Sequence, residues 1–209
     1  MGPSLVWFRQ DLRLADNPAL QAAADRGEPI IPVYVWSPEE EQGWEPGGAS
    51  QWWLHESLKA LAADLETMGS RLVLRSGRAL PALQKLASQT GAGAVYWNRR
   101  YEPAVVERDR PVECRLNEDG LEAKSAKGSV LWEPWETSTQ AGTPYKVFTP
   151  FYNACLENGL DGDPLLRPDD LPAPESWPDS EPLKELDLEP QLDWASGIRR
   201  EWTPGEESA

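Results

Sequence analysis

Short apolar runs alternate with helical patterns over residues 4–125, and this alternation constrains the fold more than any other feature of the 209-residue sequence. Leu5–Phe8, Ile30–Trp36, Leu72–Leu74, Ala94–Trp97 and, more weakly, Leu121–Ser125 read as strands. Pro32 counts against the second of them. Asp16 or Asn17 caps a helix that has Pro18 at its first position and runs to about Arg26. Ser50–Met68 carries Trp53, Leu54, Leu58, Leu61 and Leu65 at helical spacing, with Gly69 as its stop. Further helices are predicted at Leu80–Thr90, within Val105–Asn117 and at Phe148–Glu157. Strands alternating with helices imply a parallel sheet covered on both faces. Right-handed crossovers then favour a Rossmann-like, doubly wound α/β sheet of five parallel strands in the order 3-2-1-4-5. Ligands of such sheets sit beyond the carboxyl ends of the strands near the switch point. That rule singles out Arg9–Gln10, Tyr34–Ser37 and Asn98–Glu102.

The pattern fades near residue 158. Residues 159–209 hold 14 acidic and 4 basic residues, 8 of the 20 prolines, and so −10 of the net charge of −15. The expectation is an α/β domain over 1–158, followed by an acidic, Pro-rich extended linker over 159–209 that wraps a surface. Trp177, Leu183, Leu186, Leu188 and Trp194 are its candidate anchors. The strong negative charge argues against a general electrostatic footprint on nucleic acid, which needs clustered Lys and Arg. No apolar run approaches the roughly 20 residues of a membrane span, and MGPSLVWFRQ does not read as a signal peptide. Cys114 and Cys155 lack metal-ligand spacing and read as free thiols of a reducing compartment. A cytoplasmic monomer is the expectation.

No phosphate-binding glycine loop follows the first strand, and neither GxxxxGK[ST] nor GxSxG occurs. The single histidine, His55, lies within the long helix with no nucleophile paired to it by motif. The abundant carboxylates read as an acidic surface. From its residues alone the chain is an α/β ligand-binding domain with no visible catalytic or metal-binding residues. In WFRQDLRLADNPAL the strand ends at Phe8 and delivers Arg9, Asp11 and Arg13 into a loop, where a charge-assisted network is expected to hold the strand–helix turn.

The stretch Leu5–Leu20 (LVWFRQDLRLADNPAL) also resembles the opening signature of the photolyase/cryptochrome family. Trp53–Leu61 (WLHESLKAL), Val95–Pro103 (VYWNRRYEP) and Thr143–Ala154 (TPYKVFTPFYNA) resemble later family segments in the same order, and together the resemblance covers nearly all of residues 4–155. Trp202–Glu206 (WTPGE) looks like the start of the family's helical domain, so a piece of a longer gene product is expected. The resemblance implies a two-domain protein in which FAD, bound in a helical domain beyond this chain, drives light-dependent repair of cyclobutane pyrimidine dimers, with damaged DNA met by that domain only. A cryptochrome-type blue-light receptor and a generic nucleotide-binding α/β domain are the alternatives.

The resemblance further implies that the α/β domain carries an antenna pigment: methenyltetrahydrofolate, a deazaflavin or FMN. Tyr34 and Trp36 are the candidates to stack on its ring; Gln10, Ser50 and Glu102 to hydrogen-bond it; Arg9 to meet an anionic group. One departure bears on the pigment. Folate-binding relatives of one type carry Asn-Glu shortly after the Tyr-Glu of this loop, whereas Ala104 and Val105 follow Tyr101-Glu102-Pro103 here and make no such hydrogen bonds. A deazaflavin, a different folate pose and an empty slot all remain open.

Overall fold

The computed structural model describes residues 2–139, 141–159 and 162–208. Leu160, Asp161 and Ala209, at the edges of the expected linker, lie outside the described residues. The elements run β1 (Ser4–Phe8), α1 (Pro18–Asp25), β2 (Ile30–Trp36), α2 (Gly48–Thr67), β3 (Val73–Ser76), α3 (Ala79–Thr90), β4 (Ala94–Asn98), α4 (Pro103–Glu118), β5 (Glu122–Ala126), α5 (Phe148–Asn158) and α6 (Ser196–Glu201), with 3-10 turns at Pro38–Glu41, Leu183–Leu186 and Glu206–Ser208. Every strand pair is parallel and the order is β3-β2-β1-β4-β5, as the alternation predicts.

Side chains of successive strand residues point to opposite faces, and each face has its own core. Val6, Phe8, Tyr34 and Tyr96 pack under α1 and α2 with Leu20, Leu58, Leu61 and Leu65. Leu5, Trp7, Val33, Val95 and Trp97 pack under α3 and α4 with Leu83, Leu86, Val112 and Leu116. Pro32 is tolerated inside β2 for a geometric reason. The Ile30 N–H donates to the Pro172 carbonyl (2.7 Å), on the side away from β1, and residue 32 shares that side. Pairing with β3 begins only at Val33, so the missing N–H interrupts no ladder.

Two expectations need correction. The long helix begins at Gly48 rather than Ser50. Its buried tryptophan is Trp52, 1% exposed, whereas Trp53 is 39% exposed. Trp52 is covered by Trp194 (ring centroids 6.3 Å apart) and by Arg199, which belong to the C-terminal segment and leave no trace in the local periodicity.

That C-terminal segment wraps the domain. Leu171, Leu186 and Leu188 are buried in the α1/α2 core, with Leu183 packed against it. Trp177 packs on the other core and under the Arg71 guanidinium. The Glu181 N–H donates to the Leu74 carbonyl (3.1 Å), and the Leu74 N–H donates to the Ser180 hydroxyl (2.9 Å). The wrap therefore covers the edge of β3, where unpaired backbone groups invite aggregation.

Candidate functional site

The turn after β1 is organised by Asn98, the last residue of β4, 1% exposed. Its side-chain oxygen accepts the Ala19 N–H (3.0 Å), and its amide donates to Asp11 and to Asn17 (2.8 Å). Asn17 in turn caps α1 by accepting the Leu20 N–H (3.1 Å). Gly128 passes so close that a Cβ there would lie 2.4 Å from the Asn98 side chain. Asp11 accepts the Arg9 backbone N–H (2.8 Å), while Arg13 donates to the Asp16 and Gly128 carbonyls. The turn is thus a structural network, but the expected mutual cluster of Arg9, Asp11 and Arg13 does not form. A neutral amide links the parts, and the Arg9 guanidinium goes elsewhere. Sequence reasoning missed Asn98 because a lone Asn at a strand end has no distinguishing pattern.

Beyond the carboxyl ends of β1, β2 and β4 lies a cavity of about 1080 Å³. All six candidate residues line it: Arg9 and Gln10 after β1, Tyr34 and Trp36 at the end of β2, Ser50 on α2, and Glu102 just before α4. Residues 50, 53, 54 and 57 of α2 form one helical stripe on the cavity, and the stripe continues into the core as Leu58, Leu61 and Leu65. Trp7, buried, and Trp44 and Trp53, exposed, add aromatic surface. Ala104 lines the cavity beside Glu102, whereas Val105 turns fully into the protein interior. Gly205 and Glu206 close one side, and the Glu206 carboxylate accepts the Leu14 and Ala15 N–H groups at 2.6 and 2.7 Å. His55 stands apart from the cavity, with Nδ1 3.8 Å from the Glu189 carboxylate.

The cavity's arginines are largely paired within the protein. Arg9 is 5% exposed and donates to the Asp109 carboxylate and the Asn98 carbonyl. Burial holds its pKa below the ordinary value against the opposing pull of Asp109. Arg100 makes a two-pronged contact with Glu41 (2.8 and 3.0 Å) and a bond to Glu102 (2.9 Å). Burial lowers the Arg100 pKa, but these carboxylates outweigh it and the net shift is upward. The reciprocal shift is seen at Glu102: burial pushes its carboxyl up, the Arg100 hydrogen bond pulls it down, and it ends below the usual value. Arg108 pairs with Asp109 at 2.8 Å. Burial drives the Tyr34 phenol well above its ordinary pKa, so this ring presents a neutral face. Among the described residues no cluster of His, Cys, Asp and Glu is arranged for a metal, and no helix is long and apolar enough to cross a membrane.

Comparison with known proteins agrees with this geometry. Residues 4–175 match the family described as DNA photolyase. The chain is 46% identical to the deoxyribodipyrimidine photo-lyase of Agrobacterium fabrum over 99% of its own length and 43% of that protein's. It is 37% identical to cryptochrome-2 of Arabidopsis thaliana, over 97% of this chain and 34% of the plant protein. The crystal structure of a bacterial class III photolyase from Agrobacterium tumefaciens superimposes on the whole chain with a TM-score of 0.92 at 46% identity, again over 43% of that chain. The chain therefore spans less than half the length of these relatives. With the parallel sheet, its order and its wrapping segment reproduced, the chain belongs to the DNA photolyase family.

Proposed function

We propose that this chain is the light-harvesting α/β domain of a deoxyribodipyrimidine photolyase and that the cavity at its strand ends seats a planar pigment. Residues 1–158 are the domain proper and 159–209 its connection to a flavin-binding helical region. The whole protein repairs cyclobutane pyrimidine dimers with an electron supplied by reduced FAD, and damaged DNA binds through the helical region. The observation that carries the reading is the cavity. Its 1080 Å³ lies just above the roughly 300–1,000 Å³ typical of small-molecule sites. Its walls offer Tyr34, Trp36 and Trp53 to a flat ring and a few polar groups to the ring's edge. The pigment supplies absorbed light energy, passed on through dipole coupling. The protein's residues hold the ring in a fixed orientation and exclude water from it.

The charge balance narrows the choice among pigments. Arg9, Arg100 and Arg108 are paired with Asp109, Glu41 and Glu102, so a phosphate would enter without an uncommitted guanidinium among them. Arg13, the fourth arginine on the lining, is held by the Asp16 and Gly128 carbonyls with the Asp16 carboxylate 3.8 Å away, so methenyltetrahydrofolate or a deazaflavin chromophore fits this wall better than FMN. The likeness to a plant cryptochrome supports one other reading, in which the whole protein senses blue light without repair. Dimer loss from irradiated DNA under blue light separates the two, using the protein that joins this chain to its flavin-binding region. Repair is expected; flavin binding without repair selects the receptor.

A further inference from the structure

The sheet ends on two edges, and the protein covers them differently. At β3 the backbone of the C-terminal wrap lies alongside, through Ser180 and Glu181. At β5, the other end of the order β3-β2-β1-β4-β5, side chains take that role. The Glu122 N–H donates to the Gly93 carbonyl (2.9 Å), and the Ala126 carbonyl accepts the Arg99 N–H (2.7 Å). The even-numbered residues of β5 therefore turn their backbone groups towards β4, while Ala123 and Ser125 turn theirs outward. Asn117, near the end of α4, meets Ala123 there. Its side-chain oxygen accepts the Ala123 N–H and its amide donates to the Ala123 carbonyl, both at 3.2 Å. The same amide donates to the Glu113 carbonyl (2.8 Å), which fixes its position. Arg99, bonded to the buried Glu133, donates to the Ser125 carbonyl (2.9 Å). One donor and one acceptor offered side by side to a single residue form the bond pair that a neighbouring antiparallel strand would supply. Asn117 thus stands where a partner strand's peptide would stand, and it does so as an exposed residue.

The side chains beside Ala123 define which strand would fit that place. Glu122 and Lys124 flank it on one face, 40% and 66% exposed, and pair with each other at 2.6 Å. When two β5 edges are laid antiparallel with Ala123 opposite Ala123, residue 122 of one copy faces residue 124 of the other. Each Glu122 then meets a Lys124, and opposite charges directly across a strand pair are stabilising. The pattern is self-complementary about a two-fold axis, the commonest symmetry of protein dimers. We infer that the β5 edge is a self-pairing surface for a second copy of this chain, and that the Asn117 side chain holds it closed by taking the hydrogen bonds of Ala123. An exposed strand edge is a standing risk of association, and a side-chain amide that mimics a strand removes the risk without adding a strand. The guard is built into the α4–β5 connection and acts independently of what fills the cavity.

The test measures the mass of the 209-residue chain by sedimentation over a range of concentrations, together with amide exchange at Ala123, in wild type, Asn117→Ala and Asn117→Ala/Lys124→Glu. In dilute Asn117→Ala, exchange at Ala123 should rise about tenfold over wild type, the worth of one ordinary hydrogen bond. As its concentration is raised, the mass should climb towards twice that of the wild-type chain and protection at Ala123 should return. Adding Lys124→Glu sets like charges opposite one another and should abolish both effects while the dilute exchange stays fast. Any association of the wild type through another face is the baseline for these comparisons. If Asn117→Ala keeps the wild-type mass at every concentration, the guard is refuted. If it associates while Ala123 stays unprotected, or if the association survives Lys124→Glu, a different surface is responsible and the inference fails. Should Asn117→Ala not fold, as judged by circular dichroism, Asn117→Gln, which carries the amide one carbon too far, is read in its place by the same criteria.

Discussion

Glu206 ties the last turn of the chain to the loop after β1, and cutting that tie gives a sharp expectation. Its carboxylate takes the Leu14 and Ala15 N–H groups at 2.6 and 2.7 Å across more than 190 residues of sequence. Hydrogen bonds to an ionised acceptor contribute about 1.5–3 kcal/mol each. Glu206 is only half-buried, and water partly replaces it when it leaves, so about 2 kcal/mol is a fair figure for the pair. Gly205 adds a steric reason for the strap's path. Its φ of +130° suits glycine, and a Cβ there would lie 3.0 Å from that of Ala60. Glu206→Ala should release the strap at residues 202–208 and open that side of the cavity, with amide hydrogen exchange at Leu14 and Ala15 rising about 30-fold. Glu206→Gln keeps one acceptor oxygen and should fall between. Protection of the Glu181 amide, held on β3 by a separate contact, should be unchanged. Wild-type exchange rates at Leu14 and Ala15 in Glu206→Ala would refute the latch.

Asn98→Ala removes an acceptor for the Ala19 N–H and donors to Asp11 and Asn17 in a fully buried position, and should destabilise the chain by about 3 kcal/mol or more in urea unfolding. A loss under about 1 kcal/mol would show that the turn does not depend on it. Tyr34 bears on alkaline stability. Its phenol titrates higher in the folded chain than its unfolded value near 10, so its contribution is complete below that pH and lost as the pH rises above it. Tyr34→Phe should flatten the decline of stability above pH 10, leaving the residual slope from Tyr96 and Tyr101, the latter pushed up to about 12. Equal slopes in the two proteins would show that burial of Tyr34 carries no such linkage.

The sheet was legible because its signal is local: four of the five strands are apolar runs, and the order follows from chirality once parallel pairing is accepted. The location of the cavity was legible for the same reason, since strand-end residues converge wherever such a sheet switches direction. What sequence reading missed depends on partners distant in the chain. Arg9 reads as a free cation for an anion until Asp109 is seen to meet it. Trp53 reads as the inward tryptophan of α2, and only Trp194, far along the chain, shows that it is Trp52 that is covered. Ser50 reads as the start of the long helix, yet α2 begins two residues earlier, at Gly48. Leu171 stood among prolines and acids with no period to mark it, and it is 1% exposed.

Fixed orientation is what a light-harvesting site requires, because dipole coupling depends on the angle between the two pigments as well as their distance. The cavity's walls differ in that respect. β1 and β4 end in the buried Phe8 and Asn98 and β2 in the half-buried Trp36, and Arg9, Arg100 and Arg108 are cross-braced to Asp109, Glu41 and Glu102. Moving any of these guanidiniums would strip a partly buried charge of its partner, a cost of several kcal/mol by rough estimate. The opposite rim is softer: Trp44 is 84% exposed on a loop, and the strap at Gly205–Glu206 is held chiefly by the two Glu206 bonds. A ring entering past the soft rim would meet the rigid wall with its polar edge. Loading and orientation are then separable, so weakening the Glu206 latch should change the rate at which pigment enters and leaves but not the absorption maximum of the bound pigment, which the braced wall sets.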